Sequence, residues 1–400
     1  MADVLDNERG PAPLWVVPLA MVVVVALVVG LAWRWSSSPD PAGQRGPVAE
    51  TPSPAPEPRV SVARAGNACG GDVEQPVIDG GALSTRTGLR ILVGDRDLRV
   101  VDVDAGSTRV IRSSVGTSVT QLAQDGRQVV AVQRNPCSVA GYGHGEVGIV
   151  DTVTGMVTSR GRGDDILPGS PLTVGLFEQD GVRLRELNST QSTPLPPGWR
   201  PYARTSTGYF ASVVRNGFDS GVPPAIGVGT PAKAELTKTF GGGDVVGASA
   251  DKLFWLAGDC PGVHCLLTWT SVDGTNTAQA IDTYAWGGSV SPDGTKMAFR
   301  KQRASGRLGE HPGPPNDIAI LDMSRGGAPL LVLPGLALPA KAGLTLAWSP
   351  DSEWLVIGAD LGTGAAVLVW RHGMDRPARV PVPPTGGGTT GPPALLVLPR

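Results

Sequence analysis

Hydrophobic and polar positions divide the chain into three stretches with different patterns. The first has no polar face: Leu14 to Trp33 reads LWVVPLAMVVVVALVVGLAW, without a charge. A helix of that length is ~30 Å long, the thickness of a bilayer core. Trp15, Trp33 and Trp35 flank it where interfacial aromatics belong, and Pro18 falls near its first turn, where proline costs little. The run is longer than a signal-peptide core and no A-x-A site follows, so the pattern predicts an uncleaved transmembrane helix over 14–35 behind a cytoplasmic tail, 1–13. The second stretch has no periodicity. Prolines recur at 39, 41, 47, 52, 54, 56 and 58, which bars a sheet ladder and predicts an extended, disordered linker over 36–68.

The third stretch, 69–400, consists of short apolar runs bounded by Gly, Asp, Asn and Pro, such as RILVG (90–94), KLFWLAG (252–258), DIAILDM (317–323) and AVLVWR (366–371). Short strands with frequent turns indicate an all-β sandwich, barrel or propeller. Two repeated elements decide among these. Val100-Val101-Asp102, Ile149-Val150-Asp151 and Ile320-Leu321-Asp322 are each followed by a glycine four residues after the Asp. The aspartates stand 49 and 171 residues apart, the second about four steps of ~43, and one four-stranded blade takes ~40–45 residues. The paired hydrophobics belong in a strand between two blades, with Asp and Gly shaping the hairpin that follows.

The second element is Ser291-Pro292-Asp293-Gly294-Thr295-Lys296-Met297-Ala298-Phe299, matched by Trp348-Ser349-Pro350-Asp351-Ser352-Glu353-Trp354-Leu355-Val356, with degenerate copies at Asp125-Gly126 and Asp251-Lys252. It resembles the PD40 repeat of TolB-like and WD40-like propellers. That resemblance implies a β-propeller fold and, by analogy, envelope or signalling partners. Repeats place blades near 85–115, 119–160, 165–200, 203–243, 245–285, 287–335 and 343–385, hence seven, with six or eight as alternatives. The first blade is short of a strand, and Ala394-Leu395-Leu396-Val397-Leu398 is available to pair with it and close the ring.

Composition narrows the function. Net charge is −2, so no global basic field draws nucleic acid. Only six of the 34 basic residues are lysines, the bias of a high-GC genome of the actinobacterial kind. The four cysteines, Cys69, Cys137, Cys260 and Cys265, all follow the apolar segment. An even number favours disulfides and an oxidising exterior. Cys260–Cys265 suits a hairpin tip, leaving Cys69 with Cys137; the metal alternative, Cys260, His264 and Cys265, lacks a second ligand pair. Counting Arg9 against Arg34 and Arg45 slightly favours the opposite orientation. The cysteines outweigh that count and put the propeller outside.

Candidate chemistry is sparse. The loop from Asn135 to Glu146 carries Tyr142, His144 and Glu146, and Asp164-Asp165 offers two carboxylates for a cation. The bland reading of both is a blade connection. The chain has no G-x-S-x-G elbow and no P-loop. The expected role is therefore binding rather than catalysis: a membrane-anchored module for a protein or cell-envelope component, including another membrane protein, with no cofactor. The alternative is a propeller hydrolase or lyase, with or without Ca²⁺, at the channel mouth. Non-reducing mass spectrometry of freshly isolated protein should show Cys69–Cys137 and Cys260–Cys265; four alkylatable thiols would refute both bonds.

Overall fold

The computed structural model describes residues 80–113, 117–126, 128–134, 145–178, 181–214, 223–257, 266–274, 285–302, 316–324, 330–338, 344–360, 365–383 and 391–399, and strands at 64–66, 72–74, 77–78 and 281–282. The expected tail, membrane helix, most of the linker, all four cysteines, Tyr142 and His144 lie outside them. Among the described residues no helix is long and apolar enough to cross a membrane.

Three short strands come first: β1 (Arg64–Gly66), β2 (Asp72–Glu74) and β3 (Val77–Ile78). β1, inside the stretch read as linker, pairs with β2. Then follow β4 (Arg90–Gly94), β5 (Asp97–Asp102) and β6 (Ser107–Ser113). A seven-stranded sheet holds β7 (Ser118–Asp125), β8 (Gln128–Arg134), β9 (Gly145–Val150), β10 (Val157–Leu167), β11 (Thr173–Glu178), β12 (Gly181–Glu186) and β13 (Ser192–Pro194). β10 serves two neighbours: Val157 to Gly163 pair with β9, and Gly163 to Leu167 pair with β11.

Antiparallel four-stranded sheets continue the chain. They are β14 (Trp199–Arg204), β15 (Tyr209–Val213), β16 (Ala225–Gly229) and β17 (Leu236–Gly242); then β18 (Asp244–Ala248), β19 (Lys252–Ala257), β20 (Leu266–Ser271) and β21 (Ile281–Asp282); then β22 (Ala285–Val290), β23 (Lys296–Gln302), β24 (Asn316–Asp322) and β25 (Leu330–Val332). β26 (Leu336–Ala337) pairs with β3. The last full sheet is β27 (Leu344–Trp348), β28 (Trp354–Asp360), β29 (Ala365–Arg371) and β30 (Ala378–Val380). β31 (Ala394–Leu398) returns to β4, register Ala394 to Gly94, and completes the order β31-β4-β5-β6. The strands β31, β7, β10, β14, β18, β22 and β27 touch in that order, and β27 touches β31 again. The fold is a β-propeller whose ring is closed by the last strand of the chain.

Second strands show why the apolar runs are continuous rather than alternating. Successive residues of a strand point to opposite faces, and here both faces are covered. On β19, Leu253 and Trp255 join a cluster with Phe210 and Ile226 of the preceding sheet. Phe254 and Leu256 join Met297 and Phe299 of the following one. The V-V-D element behaves alike: Val101 packs with Val356 and Val369, while Val100 packs with Val129 and Val150. Its Asp ends the strand. Asp102 Oδ1 accepts the N–H of Ala105, and Asp151 Oδ1 accepts those of Val153 and Thr154. Gly155, at φ 76°, lies against the Ile111 carbonyl, which a Cβ would meet at 2.3 Å.

The two S-P-D copies fold identically. Ser291 and Ser349 each donate their hydroxyl to the Asp two residues on and accept the N–H of the residue five on. Position four needs positive φ; Gly294 supplies it at 67°, and Ser352 adopts 61° in the other copy.

Polar clamps tie neighbouring sheets. Arg109 donates to the carbonyls of Thr152 and Val153, and within the seven-stranded sheet Asp125 accepts the Leu172 N–H, joining its two halves. Arg204 pairs with Glu186. Lys238 reaches the Asp273 carbonyl, Lys252 that of Gly294 and Lys296 that of Ser352. Arg99 donates to the Pro383 carbonyl at 2.6 Å. Three of the six lysines thus hold seams.

Leu395, 5% exposed in the closing strand, should cost about 2–5 kcal/mol as Leu395→Ala in urea unfolding, and a loss under about 0.5 kcal/mol would deny β31 its closing role. Partial burial pushes the Asp293 carboxyl up, but the Ser291 hydroxyl, the Thr295 N–H and hydroxyl and the Lys296 ammonium outweigh it and hold it at about 2, below the usual 3.8. Because the folded value is depressed, its stabilisation is complete above pH 3.8 and is lost as pH falls through about 2. Asp293→Asn should flatten the acid limb of a stability–pH profile between those values; an unchanged limb would contradict the assignment.

Candidate binding site

The sequence-derived candidates fall on or beside the seven-stranded sheet. Glu146 is exposed on β9, opposite Arg162 of β10. The backbone of Asp164 occupies the register shift of β10 between Gly163 and Asp165. Asp165 is exposed and accepts the Gln121 amide at 3.3 Å, while Gln121 Oε1 accepts the Ile166 N–H at 2.9 Å. Asp165 is thus engaged by a seam contact between β7 and β10, and no hydrogen bond or ion pair joins it to Glu146. Among the described residues no group of three or more His, Cys, Asp or Glu is arranged to hold a metal ion. On the inner strand β14, Tyr202 bonds the Ser212 hydroxyl at 3.0 Å. Burial pushes its phenol up, so it remains a neutral hydrogen-bonding group.

A pronounced concavity lies elsewhere. A cavity of about 990 Å³ opens at the seam between the β22–β25 and β27–β30 sheets, on the side of the S-P-D turns. Buried Trp348 and Trp370 reach it from β27 and β29. Ile320, Leu330, Leu331 and Met374 add apolar wall, and Lys296, Asp322, Glu353, His372, Asp375 and Arg376 add charge or polarity.

Each part is positioned by local bonding. The Trp348 indole donates to the Ser289 carbonyl at 3.0 Å, across the seam. The Trp370 indole donates to the Met374 carbonyl at 3.2 Å and folds the 371–374 turn back on its strand. Gly373, at φ 90°, permits that turn, and His372 stands edge-on to Trp370 with ring centroids 6.5 Å apart. Glu353 ends the second S-P-D turn, whose Asp351 accepts the Glu353 N–H at 3.1 Å. The outer wall is the segment preceding β4. Gly81 donates its N–H to the Pro377 carbonyl at 2.9 Å and accepts from Arg379 at 3.3 Å, which lays Ala82, Ser84 and Thr85 along the cavity.

Sequence reasoning missed this site because its residues come from six separate stretches of the chain. The available signals were the tryptophans ending two β runs, Trp348 and Trp370, and the charged turn Arg371-His372-Gly373-Met374-Asp375-Arg376. The site has a depth and an aromatic floor suited to binding. Among the described residues, no carboxylate hydrogen-bonds His372.

No protein-family model matches the chain, and no curated protein sequence matches it. Among solved structures, the chain is similar to TolB from Acinetobacter baumannii at 14% identity, over 78% of this chain and 67% of that one, with a TM-score of 0.44. It is similar to a chain of the mitotic checkpoint complex at 12% identity, over 82% and 99%, with a TM-score of 0.45. A prolyl endopeptidase structure is similar at 16% identity, over 74% of this chain and 49% of that one, with a TM-score of 0.48; this chain spans about half of that protein.

Proposed function

We propose that the chain is a membrane-anchored, extracytoplasmic, seven-bladed propeller that binds a protein or another cell-envelope component at the cavity between its last two sheets. The cavity carries this reading. It has the volume of a ligand site, an aromatic and aliphatic interior, a polar rim and walls held by hydrogen-bonded turns. The seven-blade count is supported by reading the seven-stranded sheet as two blades that share β10, one half as the outer strand of one blade and the other as the inner strand of the next. The anchor rests on the uncharged run from Leu14 to Trp33, and the exterior location on the cysteines.

Two measurements on the full-length protein in its native membrane test this. Protease added to intact cells should release the propeller, and protection would overturn the location. A photocrosslinking residue at Ser84 should yield a defined adduct that the same residue at the exposed turn position Val153 does not. Equal labelling at both sites, or no adduct at Ser84, would overturn the binding role of the cavity.

A further inference from the structure

We propose that the cavity takes a cationic, extended peptide segment, in which Lys or Arg side chains alternate with apolar ones. The proposal rests on the binding role assigned to this cavity and names its partner class. It follows from which lining charges the protein has already used. Lys296 donates to the Ser352 carbonyl at 3.3 Å. The Arg371 guanidinium lies 5.1 Å over the Trp354 ring, and Arg376 is engaged within the protein as well. Asp322 accepts the N–H and hydroxyl of Ser324.

Glu353 and Asp375 differ. Both are exposed at the cavity, and neither carboxylate has a hydrogen-bond or ion-pair partner among the described residues. The lining charges that the protein leaves without a contact of its own are therefore both carboxylates. An anionic ligand would face these two carboxylates, while Lys296, Arg371 and Arg376 are already held by contacts within the protein. A cationic side chain gains from both carboxylates, and the partly desolvated site strengthens the attraction over that in bulk water.

The apolar half points to a polypeptide. Leu330 and Leu331 of β25 line the cavity, and β25 is the last strand of its sheet, with no described strand on its outer edge. Leu331 and Val332 are each 40% exposed. An open strand edge offers backbone N–H and C=O groups to an added extended segment, whose alternate side chains then reach apolar wall and acidic rim. A lone inorganic cation would leave the wall unused.

The test uses the full chain in phosphatidylcholine nanodiscs and three fluorescent peptides: acetyl-Val-Lys-Val-Arg-Val-amide, its Val-Glu-Val-Glu-Val counterpart, and a Val-Ser-Val-Ser-Val control. The basic peptide should bind, weaken with added salt, and lose about tenfold in affinity against the double variant Glu353→Gln, Asp375→Asn. Neither substitution touches packing, so thermal unfolding should not change. Equal or tighter binding of the acidic or neutral peptide overturns the proposal, as does unaltered affinity of the double variant. If the basic peptide fails to bind while the Ser84 crosslink persists, the cavity binds a partner of other chemistry and this inference alone falls. If both fail, the binding role falls with it.

Discussion

Several sheets in this molecule have two apolar faces, and none of these can cover either face itself. Leu253 and Phe254, adjacent on β19, are both fully buried, yet they belong to clusters on opposite sides of the strand. The same is true of Val100 and Val101. A sheet built this way requires a neighbour on each side, and the requirement passes from sheet to sheet until the row closes on itself. β31 performs that closure. It brings Leu395 and Val397 into the cluster shared by the first and last sheets, and it occupies the strand edge of β4 that would otherwise be open.

Apolar packing does not distribute evenly around the ring. Large clusters fill most seams, whereas the contact between β10–β13 and β14–β17 relies on the Arg204–Glu186 pair and on the Arg204 N–H bonded to the Pro168 carbonyl. Elsewhere several clamps are single cations reaching a carbonyl of the next sheet. Their placement repeats: Lys252 and Lys296 each open a second strand and each cap the fourth residue of the neighbouring turn. A long cationic side chain suits this task because its stem can lie along apolar surface while its head reaches the carbonyl.

The cavity arises where the ring is interrupted from outside. β3 and β26 form a small two-stranded sheet at the seam, with Ile78, Leu336 and Leu338 packed beside Trp348 and Trp370. The chain then runs along β30 as far as Thr85, and the space enclosed between it, β25 and the 371–376 turn is the cavity. Its side chains therefore divide into those that hold the seam and those left over. The leftover groups, Glu353 and Asp375 above all, are the ones available to a partner.

What the sequence determined by itself was local and periodic. Short runs with turn residues meant strands, the V-V-D and S-P-D elements marked hairpins in the repeats that carry them, and a spare C-terminal run meant closure, since each depends on contacts within a few residues or on a repeat any neighbour satisfies. Asp102 and Asp151 do in the structure what their spacing implied, bonding the backbone just ahead of them. The charged residues were not legible in that way. Asp165 looks like a cation ligand in the sequence and is engaged by Gln121, 44 positions earlier; the Lys252 ammonium reaches Gly294 of the next sheet. The cavity joins residues from Gly81 to Arg376, and its lining depends on how the first segment crosses the last sheet. Periodicity sets which face of a strand is apolar, but whether a charge is spent on a neighbour or left for a ligand depends on long-range contacts, and only the tertiary structure decided that.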